Sequence, residues 1–196
     1  MAYLLAALVG LAFGAGDQYL GTLQWLGYWT GTAAQVSAPW LVLPFVVGMT
    51  QRRARRAAML GLITTVSALF GYFAMTYSPM EIHPWTLDRF TEGMVAVTTT
   101  GYNPAYILGG LVGGPLFGLL GQRWRVRRSW VSAATVAGVL CLEPVARWAS
   151  GQLMPPAPVW TVEVAVGAVA AGLFSVAIVA WRREGSVRSW RTTNRA

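Results

Sequence analysis

Val46-Val47-Gly48-Met49-Thr50-Gln51-Arg52-Arg53-Ala54-Arg55-Arg56-Ala57-Ala58-Met59-Leu60 sets four arginines between two apolar runs. One buried helix through this stretch would carry four guanidinium groups into an apolar medium, so the runs read as separate segments meeting at a polar boundary. The arrangement recurs along the chain. Arg123, Arg125, Arg127 and Arg128 follow a later apolar run, and Arg182, Arg183, Arg188, Arg191 and Arg195 follow the last one. These three places hold 13 of the 15 basic residues.

A helix needs about 20 apolar residues to cross the hydrocarbon core of a bilayer. Six windows approach that length: 3–23, 34–50, 57–77, 104–122, 129–149 and 158–181. The positive-inside rule puts the arginine clusters after the second, fourth and sixth windows in the cytoplasm, and six alternating passes satisfy this without a forced step. The chain is therefore expected to be an all-α polytopic membrane helix bundle, with six transmembrane helices and both ends inside. It would form one transmembrane domain over 1–181 and a basic cytoplasmic tail over 182–196. Met1 leads directly into Tyr3-Leu4-Leu5 without the charged opening of a secretory signal, so the first window reads as a retained membrane helix.

Composition agrees with a bilayer setting. The 196 residues are 55% hydrophobic and 11% charged, too apolar for an ordinary soluble domain. All basic residues are Arg and none is Lys, which with abundant Ala, Gly and Val suggests a high-GC bacterial source and the bacterial cytoplasmic (inner) membrane. The net charge of +8 lies in short clusters between apolar spans and lacks the motif support of a nucleic-acid face, so nucleic acid is excluded as a partner. The lone Cys141 and the single His83 leave no metal cluster and no internal disulfide, and no cofactor motif is present. Trp25, Trp29, Trp85, Trp124, Trp130, Trp148, Trp160 and Trp181 fall at span ends, where amphipathic rings favour the membrane interface.

The acidic residues sort the other way. Asp17, Glu81, Asp88, Glu92, Glu143 and Glu163 lie in the outer half or outside. In the long connection 78–103, Leu87, Phe90, Met94 and Val97 recur at helical spacing against Asp88, Arg89 and Glu92. This predicts a short external amphipathic helix, an anchor on the outer leaflet or a lid over a site beneath it.

Three spans carry polar or helix-perturbing features. In the first, Ala7, Gly10, Gly14, Asp17, Gly21 and Gln24 alternate at spacings of three and four, forming one stripe of small and polar side chains. The stripe is either a close helix contact, with Asp17 bonded to a neighbour, or a contact carrying a coordinating or protonatable group. In the fifth, Glu143 and Arg147 stand four apart, in the order that favours pairing, and Pro144 removes a backbone donor beside them. Asp17 and Glu143 fall at similar depth and would share a pocket, with Glu163 at its mouth; a self-satisfied ion pair locking two helices accounts for Glu143 and Arg147 equally well. The fourth window carries Gly109, Gly110, Gly113, Gly114, Pro115 and Gly118, the pattern of a tightly packed kinked helix or of an interrupted one. Pro44 predicts a further kink in the second.

Gly14-Ala15-Gly16-Asp17 matches the GxGD string of intramembrane aspartyl proteases, but the only other aspartate, Asp88, is external, so the two-aspartate chemistry is missing. No serine elbow, zinc-binding helix or phosphate loop occurs, which points away from an enzyme.

At Ala38-Pro39-Trp40-Leu41-Val42-Leu43-Pro44-Phe45, the Arg52–Arg56 cluster, Gly71-Tyr72-Phe73 and Gly113-Gly114-Pro115-Leu116-Phe117-Gly118-Leu119-Leu120-Gly121, the chain resembles a family of small actinobacterial multi-pass membrane proteins of unknown function. The resemblance implies six spans and membrane residence, and no activity. More distantly, the chain is similar to the substrate-binding membrane subunits of energy-coupling-factor importers. Ala6, Gly10 and Gly14 are like the small residues with which such subunits meet a transmembrane partner.

These features lead to a small-solute binding or transport component, cationic or proton-coupled, with a ligand site of Asp17, Gln24, Glu143, Arg147 and Glu163. The alternatives are a non-catalytic scaffold or accessory subunit packing through its glycine-rich helices and, third, an integral-membrane enzyme acting on a lipid or isoprenoid. Expected partners are the lipid bilayer and either a membrane protein or a second copy of the chain.

Overall fold

The computed structural model describes residues 1–76, 86–99, 101, 103–151 and 157–193. Among them the regular elements are all helical: α1 (Ala2–Thr22), α2 (Trp29–Ala33), α3 (Ala38–Met49), α4 (Ala54–Thr76), α5 (Leu87–Thr99), α6 (Asn103–Arg127), α7 (Trp130–Ala149) and α8 (Ala157–Thr193), with a 3-10 turn at Gln24–Leu26. Four helices are long and apolar enough to cross a membrane: α1, α4, α7 and the Ala157–Arg183 part of α8. α6 has 25 residues. α5 is the amphipathic helix expected in the long connection, with Phe90 and Met94 half-buried and Asp88, Arg89 and Glu92 exposed. Glu81, His83 and Trp85 lie outside the described residues.

The second apolar window, 34–50, is helical only from Ala38. α3 has 12 residues, a rise of about 18 Å, and cannot cross a 30 Å core of hydrocarbon by helix alone. Residues 34–37 separate it from α2. The fourth window, in contrast, forms one helix straight through Pro115. The basic tail continues α8 as helix to Thr193.

Glycines set how closely the helices approach. A Cβ on Gly10 would overlap the Thr64 carbonyl, and one on Gly14 the Ala68 carbonyl, so α1 and α4 run parallel with their backbones in contact. α4 and α6 cross antiparallel in the same manner, with Gly61 against Gly114 and Ala57 against Gly118. Gly48 and Gly121 bring α3 to α6. On the other side, larger side chains fill the space between α3, α6, α7 and α8: Phe45, Phe117, Trp124, Val136, Leu140 and Trp160 are buried together. Phe174 of α8 closes this core edge-to-face on Phe45 and Trp124, with centroids 6.1 and 4.6 Å apart.

The contacts give the bundle two chemically distinct ends. At one, the Gln122 amide donates to the Arg52 carbonyl at 2.8 Å and Arg125 donates to the Met49 carbonyl at 3.0 Å, so the first two arginine clusters lie side by side. Asp17, Glu143 and Glu163 sit toward the opposite end. Arg55 and Arg56 occupy the first turn of α4, where positive charge opposes the helix dipole by about 0.3–1 kcal/mol each. Their placement follows the boundary and runs against local helix preference.

Trp124 and Trp160 depart from the interfacial reading: they are 2% and 4% exposed and belong to the core. Trp25, Trp29, Trp130, Trp148 and Trp181 are exposed, as rings at a membrane surface would be.

Gly14→Leu should separate α1 from α4 and lower stability by about 1–3 kcal/mol or more. Gly16→Leu, where a Cβ meets nothing within 4 Å, should leave the midpoint of thermal unfolding in detergent near wild type. Equal losses would refute backbone contact as the reason for Gly14.

Candidate functional site

The break at 34–37 leaves backbone groups at the start of α3 without helical partners, a costly state in an apolar medium. α3 has Ser37 at its N-cap, but the Ser37 hydroxyl makes no capping bond. The cap comes from α7. Glu143 accepts the Ser37 N–H on Oε1 at 2.7 Å and the Ala38 N–H on Oε2 at 2.6 Å. A carboxylate at a helix N-terminus also meets the positive end of the dipole.

One turn along α7, the Arg147 Nε donates to Glu143 Oε1 at 2.8 Å. Arg147 Nη2 donates to the Gln35 carbonyl and, at 2.9 Å, to the Ser37 hydroxyl. Its guanidinium carbon lies 5.3 Å from the Trp160 ring centroid, a cation–π contact. The pair thus satisfies the donors and acceptors of the break together.

The break walls a cavity of about 580 Å³. Asp17 enters it from α1, Trp40 from α3, Tyr72 and Phe73 from α4, Tyr106 from α6 and Arg147 from α7. Trp40 donates its indole N–H to Asp17 Oδ2 at 3.3 Å. Phe13 and Tyr72 hold that indole edge-to-face at 5.3 and 5.8 Å. Tyr106 is 66% exposed, so the cavity opens beside it, at the N-terminal end of α6.

The sequence-predicted site residues divide into three groups. Asp17 and Arg147 share the cavity wall. Glu143 lies one layer behind Arg147, and Glu163 is 6% exposed, facing Glu143 and Arg147 without entering the wall. Glu163 is buried against the Glu143 carboxylate. The side chain of Gln24 lies outside the described residues. The glycines and prolines expected to pack or hinge are dispersed: Gly10 and Gly14 on α4, Gly110 against Thr65 and Leu69, Gly113 against Leu41, Gly114 and Gly118 on α4, Gly109 against open space, and Pro44 and Pro144 buried within helices. Among the described residues no set of three His, Cys, Asp or Glu side chains is arranged to hold a metal ion.

The segment 34–37 and the aromatic residues Trp40, Tyr72 and Tyr106 were not singled out as site residues from the sequence. Gln35 and Ser37 ahead of Pro39 were the available signal, since two polar residues and a proline seldom interrupt an apolar run without a turn.

A family model matches residues 1–193, nearly the whole chain. The chain belongs to DUF6518, a family of unknown function. No curated protein and no solved structure matches it. What this DUF6518 chain does must therefore come from its own chemistry.

That chemistry assigns Glu143 and Arg147 a structural duty. Their side chains are 10% and 19% exposed, and removing one charge of such a pair strands the other. Glu143→Ala should lower stability by about 3–5 kcal/mol, while Glu143→Ala with Arg147→Ala should lose less than the sum of the single changes. Denaturation in mixed micelles measures the cycle, and strictly additive losses would show that the two residues act independently.

Proposed function

We propose that this protein is a multi-pass bacterial cytoplasmic-membrane protein that binds a small solute, as a transport or binding component, in the cavity around Asp17. The observation that carries the reading is the cavity wall itself: one carboxylate, positioned by the Trp40 indole, in an aromatic chamber of a size typical of ligand pockets. A purely structural aspartate would be enclosed by its partners, whereas Asp17 borders open space.

Six passes with both ends inside agree with the helix directions. α1 and α4 run parallel, α3 and α6 run parallel, and α4 opposes α6, as alternating passes require. In this arrangement the second pass is α3 together with the irregular segment 34–37. Non-helical backbone at membrane depth is tolerated where protein covers it or where it lines a cavity, and discontinuous helices of this kind form solute sites in transporters. On the same reading the cavity opens outward and α5 lies near its mouth.

The scaffold alternative needs glycine faces free for a partner. Gly10, Gly14, Gly114 and Gly118 are consumed inside the chain, which favours the solute reading. The same holds for the likeness to energy-coupling-factor subunits: Ala6, Gly10 and Gly14 are buried here by the chain itself.

The test needs no knowledge of the solute. In a Cys141→Ala background, Leu69→Cys puts a thiol on the cavity wall. It should react in intact cells with a membrane-impermeant thiol reagent. Cysteines at Arg53 and Arg127 should react only after the membrane is opened, and one at Asp88 without opening. A Leu69→Cys thiol that stays unreactive from both sides in folded protein would overturn the solute site.

A further inference from the structure

We infer that the solute is an organic ammonium ion, its charge against Asp17 and its apolar body along the α4 and α6 walls. The inference rests on the solute-site reading and deepens it by naming the ligand class.

Charge selects first. Among the described residues the cavity wall carries one carboxylate, Asp17, and one guanidinium, Arg147. Arg147 is already engaged by Glu143, Gln35 and Ser37, so its field toward the cavity is largely cancelled. An anionic solute would meet the Asp17 carboxylate with no free cation to offset it among the described wall residues. A cation would meet Asp17, whose Oδ2 is held by Trp40 while Oδ1 has no hydrogen-bond partner among the described residues.

The walls then select among cations. Divalent metal ions require six or more oxygen ligands or retained water, and among the described residues no group of three His, Cys, Asp or Glu side chains is placed to hold one. Trp40, Tyr72, Phe73 and Tyr106 line it, and Tyr72 stands within electrostatic reach of both Asp17 and Tyr106. Ring faces attract weakly hydrated cations, above all substituted ammonium groups. The rings are fixed in advance: Trp40 is braced by Phe13 and Tyr72, and Tyr72 packs edge-to-face on Phe73 at 5.5 Å. That preorganisation removes an ordering penalty on binding.

Volume and polarity describe the rest of the molecule. About 580 Å³ is far more than an ammonium head needs. Opposite the polar side formed by Gln35, Ser37 and Arg147, the α4 and α6 walls present Leu69, Gly109 and Gly110, with Thr65 as the polar residue among them. A side chain at Gly110 would press on Thr65 and Leu69, so the glycine keeps this wall flat. The complementary ligand is a substituted ammonium with an apolar portion.

Equilibrium binding to the purified full-length protein in nanodiscs, with choline and benzyltrimethylammonium as probes, tests the assignment. Dimethylbutanol, the uncharged carbon isostere of choline, is the control for shape. Both ammonium probes should bind, with benzyltrimethylammonium tighter, and dimethylbutanol should bind roughly tenfold more weakly than choline. Asp17→Asn should erase that difference, and Tyr106→Leu, at an exposed position, should weaken the ammonium probes severalfold and leave dimethylbutanol unchanged. Equal binding of choline and dimethylbutanol, or no ammonium binding while the Leu69→Cys thiol still reacts from water, would overturn the ammonium assignment and leave the solute site standing. An unreactive Leu69→Cys thiol would instead bring down the site.

Discussion

The Glu143 carboxylate on the Ser37 and Ala38 N–H groups is the contact on which the rest of the structure depends. A chain read as crossing a bilayer has no water with which to satisfy an interrupted helix, so the turn between α2 and α3 exists because another helix supplies its hydrogen bonds. Arg147 completes the arrangement from the same face of α7, neutralising the carboxylate and binding the carbonyl of Gln35. Without this clamp the Ser37 and Ala38 N–H groups would lose their acceptors. A straight helix would remove the irregular wall that bounds the cavity beside Trp40.

Packing outside the clamp follows two rules. α1, α4 and α6 meet through glycine, backbone on backbone, which leaves no room for side chains along their seams. α3, α7 and α8 meet through large rings and branched side chains. The cavity lies where these regimes adjoin: Asp17 reaches it from the close-packed group and Arg147 from the other, with the 34–37 segment between them. Trp40 belongs to the helix that touches both, and its indole carries the bond that orients the acid.

Much of this was legible in the sequence. The stripe of Ala7, Gly10, Gly14, Asp17, Gly21 and Gln24 depends on short-range spacing along one helix, and the structure packs its Gly10 and Gly14 on α4 and sets its Asp17 at the cavity. The Glu143–Arg147 pair was legible for the same reason. The break at 34–37 was signalled locally only by Gln35 and Ser37 ahead of Pro39, and its cap, from a residue 106 positions away, left no local trace. Asp17, Gln24, Glu143, Arg147 and Glu163 read as one site in the sequence, whereas the structure leaves Asp17 and Arg147 on the wall and sets Glu143 and Glu163 behind it. Trp124 and Trp160 were misjudged because a ring near the end of an apolar run has the same sequence signature at a lipid interface as beneath a neighbouring helix.

The last helix touches rather little of the protein. Only 6% of its most apolar window is buried, although the helix carries Glu163 beside the clamp. Its Ala157–Arg183 part, with Glu163 near one end and Arg182 and Arg183 at the other, has 27 residues and rises about 40 Å, longer than a hydrocarbon layer of about 30 Å. A helix of that length placed across a bilayer leans, or the surrounding lipid stretches to meet it. Acyl-chain length thereby becomes a variable of how this helix sits, and lipid composition belongs among the conditions that define this protein's native state.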